Sequence, residues 1–245
     1  MIVSINQPAY LPWLGYFDRI DASDLHVVLD HVQFEKNSLV NRNKLRTPAG
    51  WTWVTVPVAT KGQFENLAIN MLQAADPGRW RTKHWRTIDA NYARAPQFRA
   101  FGATIRNALE TGSESADFLP IVETINRHIL DRLGIKTPLV HSSSMVLTQK
   151  KGDLVIEICK IVGATTYVSG PFGRDYLDLD TFRTAGIDVI FHDYAPPSYP
   201  QAWPGFEAGM SAVDALLCLP GNEARDVMRS GRRLTETSVT RREQT

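Results

Sequence analysis

The chain has 245 residues, of which 43% are apolar and 22% charged. This ordinary globular composition excludes wholesale disorder and gives enough volume for a real core. Lys and Arg number 27 against 26 Asp and Glu, a formal net charge of +1, and that balance argues against a dedicated nucleic-acid binder, which carries a strong basic excess.

The opening MIVSINQPAYLP has no basic stretch followed by an apolar one and does not read as a signal peptide. No apolar run approaches the roughly 18 residues of a membrane-spanning helix. Cys159 and Cys218 lack CxxC spacing and are too few for a disulfide framework. The expectation is a cytoplasmic protein without membrane insertion.

Met1–Ile5 predicts a first strand, ended where Pro8 removes a ladder donor. Pro12–Ile20 predicts a turn entering a short helix. Leu25–Asp30 (LHVVLD) is continuous and β-branched, as a strand buried on both faces should be. Strand, helix and strand in thirty residues open a βαβ unit. GWTWVTVPV at 50–58 alternates like a half-exposed strand, with Glu65–Asn70 as its expected partner after a Lys61-Gly62 turn. From Asp76 to Leu133 the pattern is helical, broken at Pro96. Strands return at Pro138–Ser142, Thr165–Ser169 and Ile187–His192, with helices over Asp153–Val162, Asp175–Ala185 and Ser211–Leu219. The predicted fold class is α/β, a Rossmann-like parallel sheet with a helical insertion. Residues 1–75 and 135–225 form the α/β domain, 76–134 the insertion, and 230–245 a flexible basic tail.

Four segments carry candidate chemistry. Gln7–Phe17 packs two prolines, a glycine and four aromatics (Tyr10, Trp13, Tyr16, Phe17) into the loop at the carboxyl end of the first strand, where open α/β sheets bind ligands. Those rings equally suit a core plug. Asp30, His31, Gln33 and Lys36, followed by Asn41 and Arg42, supply acid, base and cation at the end of the second strand. A carboxylate beside a histidine can orient it as a general base, and Lys36 with Arg42 can clamp an anion. A solvated ion-pair loop is the plain alternative. Trp80, Lys83 and His84 sit on one helix, where His84 is either a base or a core histidine. Ser169-Gly170-Pro171-Phe172-Gly173, with Tyr176, can present backbone N–H groups to an anion or simply turn the chain. Walker A, GxSxG and HExxH motifs are absent, and the six histidines lack metal-ligand spacing, so neither metal nor cofactor is expected.

The run INQPAYLPWLGYFDRIDASDLHVVLDHVQFEKNSLVNRNKLRTPAGWTWVTVPV resembles the opening of the WbqC-like protein family. Trp80 with Lys83-His84, YVSG at 167–170, Tyr176, Tyr199 and Phe206 leading into Ser211–Asp214 fit the same family. The resemblance implies a place in bacterial surface-polysaccharide or natural-product gene clusters. It points to a transferase joining an activated acyl or aminoacyl group to an amine, with His31 or His84 as base, Asp30 orienting it, and Gln7, Asn41 and Arg42 holding the donor. A fold-level similarity to the nucleotidyltransferase (HUP) superfamily implies an alternative, a nucleotidyltransferase or nucleotide-sugar glycosyltransferase; the stretch corresponding to its HxGH signature is Trp13-Leu14-Gly15-Tyr16, without histidines. A third possibility is a non-catalytic partner of an acyl or peptidyl carrier protein, docked through Arg225, Arg229, Arg232 and Arg233.

Overall fold

A computed structural model describes residues 1–60, 67–111 and 115–236. Strand β1 (Ile2–Asn6) leads through a proline-bearing loop into α1 (Leu14–Asp21) and parallel strand β2 (Leu25–Val28). A hairpin follows, β3 (Arg42–Thr47) with β4 (Gly50–Thr55), then helices α2 (Pro77–Tyr92), α3 (Ala103–Glu110) and α4 (Phe118–Leu133). Strand β5 (Leu139–His141), α5 (Lys151–Val162), β6 (Thr166–Ser169), α6 (Leu179–Thr184) and β7 (Asp188–His192) complete the α/β pattern. The chain then forms α7 (Ala212–Cys218), α8 (Gly221–Ser230) and a short strand β8 (Leu234–Glu236).

The six-stranded sheet has the order β5-β2-β1-β6-β7-β8, parallel except for β8, which runs antiparallel to β7. The fold is therefore the expected Rossmann-like α/β class. Its order reverses beside β1: β2 and β5 build outward on one side, β6 and β7 on the other. Val3, Ile5, Val27, Tyr167, Val189 and Phe191 pack on one face against α5 and α6 residues such as Leu154, Ile158 and Phe182. The opposite core runs from Tyr16, Phe17 and Ile20 of α1 through the hairpin, α2–α4, α7 and α8 without interruption.

Three segments differ from the sequence expectation. GWTWVT pairs with Arg42–Thr47 and not with Glu65–Asn70, whose residues 65 and 66, like the proposed turn at 61–62, lie outside the described residues. Pro48-Ala49 makes the turn, and Gly50 closes it at φ +115°, a conformation that favours glycine. The candidate loop at Asn41–Lys44 is thus mostly strand. Within the expected flexible tail Leu234–Glu236 forms β8, which edges the sheet beside β7, while α8, packed on α1 and α4, ends at Ser230, the first residue of that expected tail. Residues 237–245 of that tail lie outside the described residues.

Among the described residues no helix is long and apolar enough to cross a membrane.

Candidate functional site

Because β1 and β6 are parallel neighbours, the chain leaves both at the same edge of the sheet, and the loops that follow them flank one crevice at the point where strand order reverses. A cleft of about 510 Å³ lies there. Gln7, Pro8 and Trp13 from the first loop, Gly170, Phe172 and Tyr176 from the second, and Ser38 and Leu39 ahead of the hairpin border it. Its inner wall contains Tyr16 and Arg19 of α1, Asn43 of β3, Tyr167 of β6 and His192 of β7, with Tyr194 beyond.

Arg19 is the unusual member. It lies one helical turn from Tyr16, its Nε is shut off from solvent with no hydrogen-bond partner, and among the described residues no carboxylate pairs with it. Burial pulls its pKa down, opposed by the hydroxyls of Tyr167, Tyr16 and Tyr176. A Cβ on Gly170 would come within 2.9 Å of the Arg19 Nη1, so a side chain there would contest the space of the guanidinium. An unpaired cation held this way is costly unless an anion arrives. Asn43 adds a second donor: its Oδ1 accepts from the Lys44 N–H at 2.8 Å, while its buried Nδ2 has no partner. Both unsatisfied groups are donors, so the cleft is matched to an acceptor-rich ligand.

His192 stands at the end of β7. Its Nε2–H donates to Asp18 Oδ2 at 2.7 Å, and fully buried Asp18 also accepts from Arg232 Nη2 at 2.9 Å. The carboxylate fixes a proton on Nε2, so the neutral ring carries its lone pair on Nδ1, the arrangement of an oriented general base.

Of the residues expected from sequence, Gln7, Trp13, Tyr16, Gly170 and Tyr176 meet at this cleft. Ser169 lies just below it, buried, its Oγ donating to the Gly170 carbonyl at 3.1 Å. The others lie elsewhere. Asp30 accepts from Ser142 Oγ (2.9 Å), Ser143 N (2.8 Å) and Ser143 Oγ (2.6 Å), fastening the turn after β5. His31 Nδ1 meets the same Ser142 Oγ at 2.7 Å. With the serine proton directed to Asp30, His31 is the donor in that contact, so this trio is not a serine–histidine nucleophile; Ser142 is also fully buried. Asn41 ties Nδ2 to the Val56 carbonyl at 2.9 Å, and Arg42 stacks 4.4 Å over the Trp53 ring. Gln33 and Lys36 are exposed ahead of the hairpin, and Lys83 faces outward on α2. Tyr10 is fully buried, its hydroxyl 2.8 Å from Nδ1 of buried His84. Of the tail cations, Arg229 and Arg232 are engaged with Asp21, and Arg232 also with Asp18.

Arg19, Asn43 and His192 were the residues that sequence reasoning missed. The strand-end rule, applied to IDVIFH as it was to the first strand, marks His192. Nothing local marks Arg19 or Asn43.

Burial lowers the pKa of His84 to about 4, reinforced by Lys83 and opposed by the Thr55 carbonyl, and that of His26 to about 3, with Arg19 adding to burial. The unfolded chain therefore takes up these protons first on acidification. Stability is complete above the ordinary histidine pKa of about 6.5 and is lost as pH falls toward the two folded values, by about 2–3 kcal/mol between pH 7 and 5.5 for the pair. Urea unfolding at both pH values checks this, and His84→Gln should roughly halve the slope.

Among the described residues no group of three His, Cys, Asp or Glu side chains is placed to hold a metal ion. Both cysteines are buried, and burial pushes each thiol up to about 12, which leaves them inert as nucleophiles.

Residues 7–226 match the WbqC-like protein family. The chain is 35% identical over 242 residues to an uncharacterized protein of Mycobacterium tuberculosis, the match spanning 93% of this chain and 97% of that one. No solved structure matches.

Proposed function

The chain belongs to the WbqC-like protein family, and from that premise we propose that it is a cytoplasmic transferase of surface-polysaccharide or natural-product biosynthesis that joins an activated acyl or aminoacyl group to an amine in the β1–β6 cleft. The supporting observation is Arg19, a guanidinium on the wall of the switch-point crevice without a carboxylate partner among the described residues. In this reading Arg19 and the Asn43 amide hold the anionic or carbonyl end of the donor. His192 Nδ1 takes a proton from the attacking amine as the new C–N bond forms, and the leaving group departs with the electron pair of its bond to the acyl carbon. Asp18 keeps the ring in the required tautomer.

The strand order favours a second reading, a nucleotide-handling enzyme. Against it, the space over Gly15 near the start of α1, where phosphates approach a helix N-terminus, is occupied: a Cβ there would meet the Trp13 and Tyr194 rings at 2.7 Å. Calorimetric titration with acetyl phosphate, acetyl-coenzyme A and ATP separates the two. Binding of an acyl donor that disappears in Arg19→Met, with amide formed from a supplied amine, is the expected result. Binding of ATP alone would transfer the argument to the second reading, and binding of none of them would end the first.

A further inference from the structure

A second cavity, of about 160 Å³, adjoins the cleft: Pro8 and Tyr16 line both. Its body is apolar, built from Phe17 and Ile20 of α1, Val28 of β2 and Leu130 of α4. Two buried polar side chains of its lining have an atom with no partner, His26 Nε2 and Asn126 Oδ1. The residues are 1% and 8% exposed. Their other polar atoms are committed. His26 Nδ1 is 2.8 Å from Ser4 Oγ, and Asn126 Nδ2 donates to the Ala9 carbonyl at 3.1 Å, which fixes the amide orientation. At the rim Glu123 and His141 pair with each other, so the carboxylate there is already engaged.

Buried polar atoms normally find partners, and here two lie unsatisfied in the lining of one small apolar space. A cavity of about 150 Å³ accommodates a benzene-sized body. We propose that this cavity is a binding subsite for an uncharged, ring-sized apolar group bearing one hydroxyl or primary amide, which donates to Asn126 Oδ1 and bonds His26 Nε2. A charged group fits poorly, because the body is apolar and the charged side chains of the lining are the rim pair and Arg127, which is exposed. The subsite stands apart from the transfer reading: it concerns a different cavity and different atoms, and holds whatever reaction the cleft performs.

Phenol and benzamide serve as probes, with toluene as the shape control, using the full chain. Nitrogen NMR of the His26 ring should show a saturable Nε2 shift with phenol and benzamide, and soaked crystals should place either ring against Phe17 and Leu130. Toluene should bind at least about tenfold more weakly, since it leaves both polar atoms unpaired. Asn126→Leu should remove the preference over toluene. Because that change also releases the Ala9 carbonyl, Leu139→Trp, at a half-exposed rim position, provides a second block that should abolish probe binding while leaving acetyl phosphate binding in the cleft unchanged. Toluene binding as tightly as phenol, ordered water alone in the soaked crystals, or probe affinity unmoved by Leu139→Trp would overturn the subsite.

Discussion

Arg19→Met is expected to leave a protein that melts higher than the wild type and no longer holds an anion in its cleft. The guanidinium gives up water without gaining a carboxylate, and its Nε has no hydrogen-bond partner among the described residues. Methionine keeps the unbranched stem beside Tyr16 and Tyr176 and removes the charge. A gain of about 1 kcal/mol follows from the usual size of relieved functional strain, which is roughly 2–4 °C in melting temperature for a domain of this length. Affinity for acetyl phosphate should fall roughly 10- to 100-fold, the loss of a charge-assisted hydrogen-bonding group. Arg19→Lys should recover part of the affinity, since charge returns without the bidentate fork. Differential scanning calorimetry with titration of both variants decides the matter. An Arg19→Met protein that melts lower and binds unchanged would make Arg19 a structural residue and leave the cleft without its anchor.

The second large effect is expected at Asp18, which is fully buried between His192 Nε2 and the Arg232 guanidinium. Asp18→Ala strands His192 and leaves Arg232 with the Asp21 carboxylate, and should cost about 3 kcal/mol, the lower end for breaking a buried ion pair. Asp18→Asn is the more informative change. Its amide can donate to Nε2, which moves the imidazole proton to Nδ1 and removes the lone pair that the proposed base uses. Where a carboxylate orients a catalytic histidine, that exchange lowers turnover by about 10⁴-fold while the geometry survives. Amide-forming activity should thus collapse in Asp18→Asn and in His192→Gln, with acetyl phosphate binding nearly retained in both. Activity that merely tracks the lowered stability would assign His192 to the core.

The parallel sheet was legible because LHVVLD and IDVIFH are nearly continuous apolar runs, as strands buried on both faces are, and TTYVS is rich in β-branched residues. The hairpin strand RNKLRT was not, because its buried positions include Asn43 and Arg46, which break the alternation that marks a half-buried strand. Arg46 lies inside because the backbone carbonyls of Thr47, Gly50 and Pro204 receive its donors. Helix α8 left no apolar stripe to read in the sequence, since only Gly221, Ala224 and Met228 of its ten residues are buried. The strand-end rule located Gln7 and Gly170 and, through the loops they begin, the aromatic rim. Asp30, also at a strand end, lies away from the cleft, and the turn at Ser142–Ser144 covers its carboxylate with the hydroxyls of Ser142 and Ser143. Arg19 was invisible for another reason. An arginine within LGYFDRID reads as a surface residue until β6 is laid beside β1 and the tyrosines of that strand and its loop close over it.

The bridge from Asp18 to Arg232 joins positions 214 apart in sequence, and β8 pairs directly beside His192, with Leu234 opposite it. Synthesis must therefore pass Arg232 before Asp18 and His192 can be held in this arrangement, and every shorter nascent intermediate lacks it. Such distant closure predisposes to slow maturation. An addition placed just after Glu236 bears directly on the strand that flanks His192.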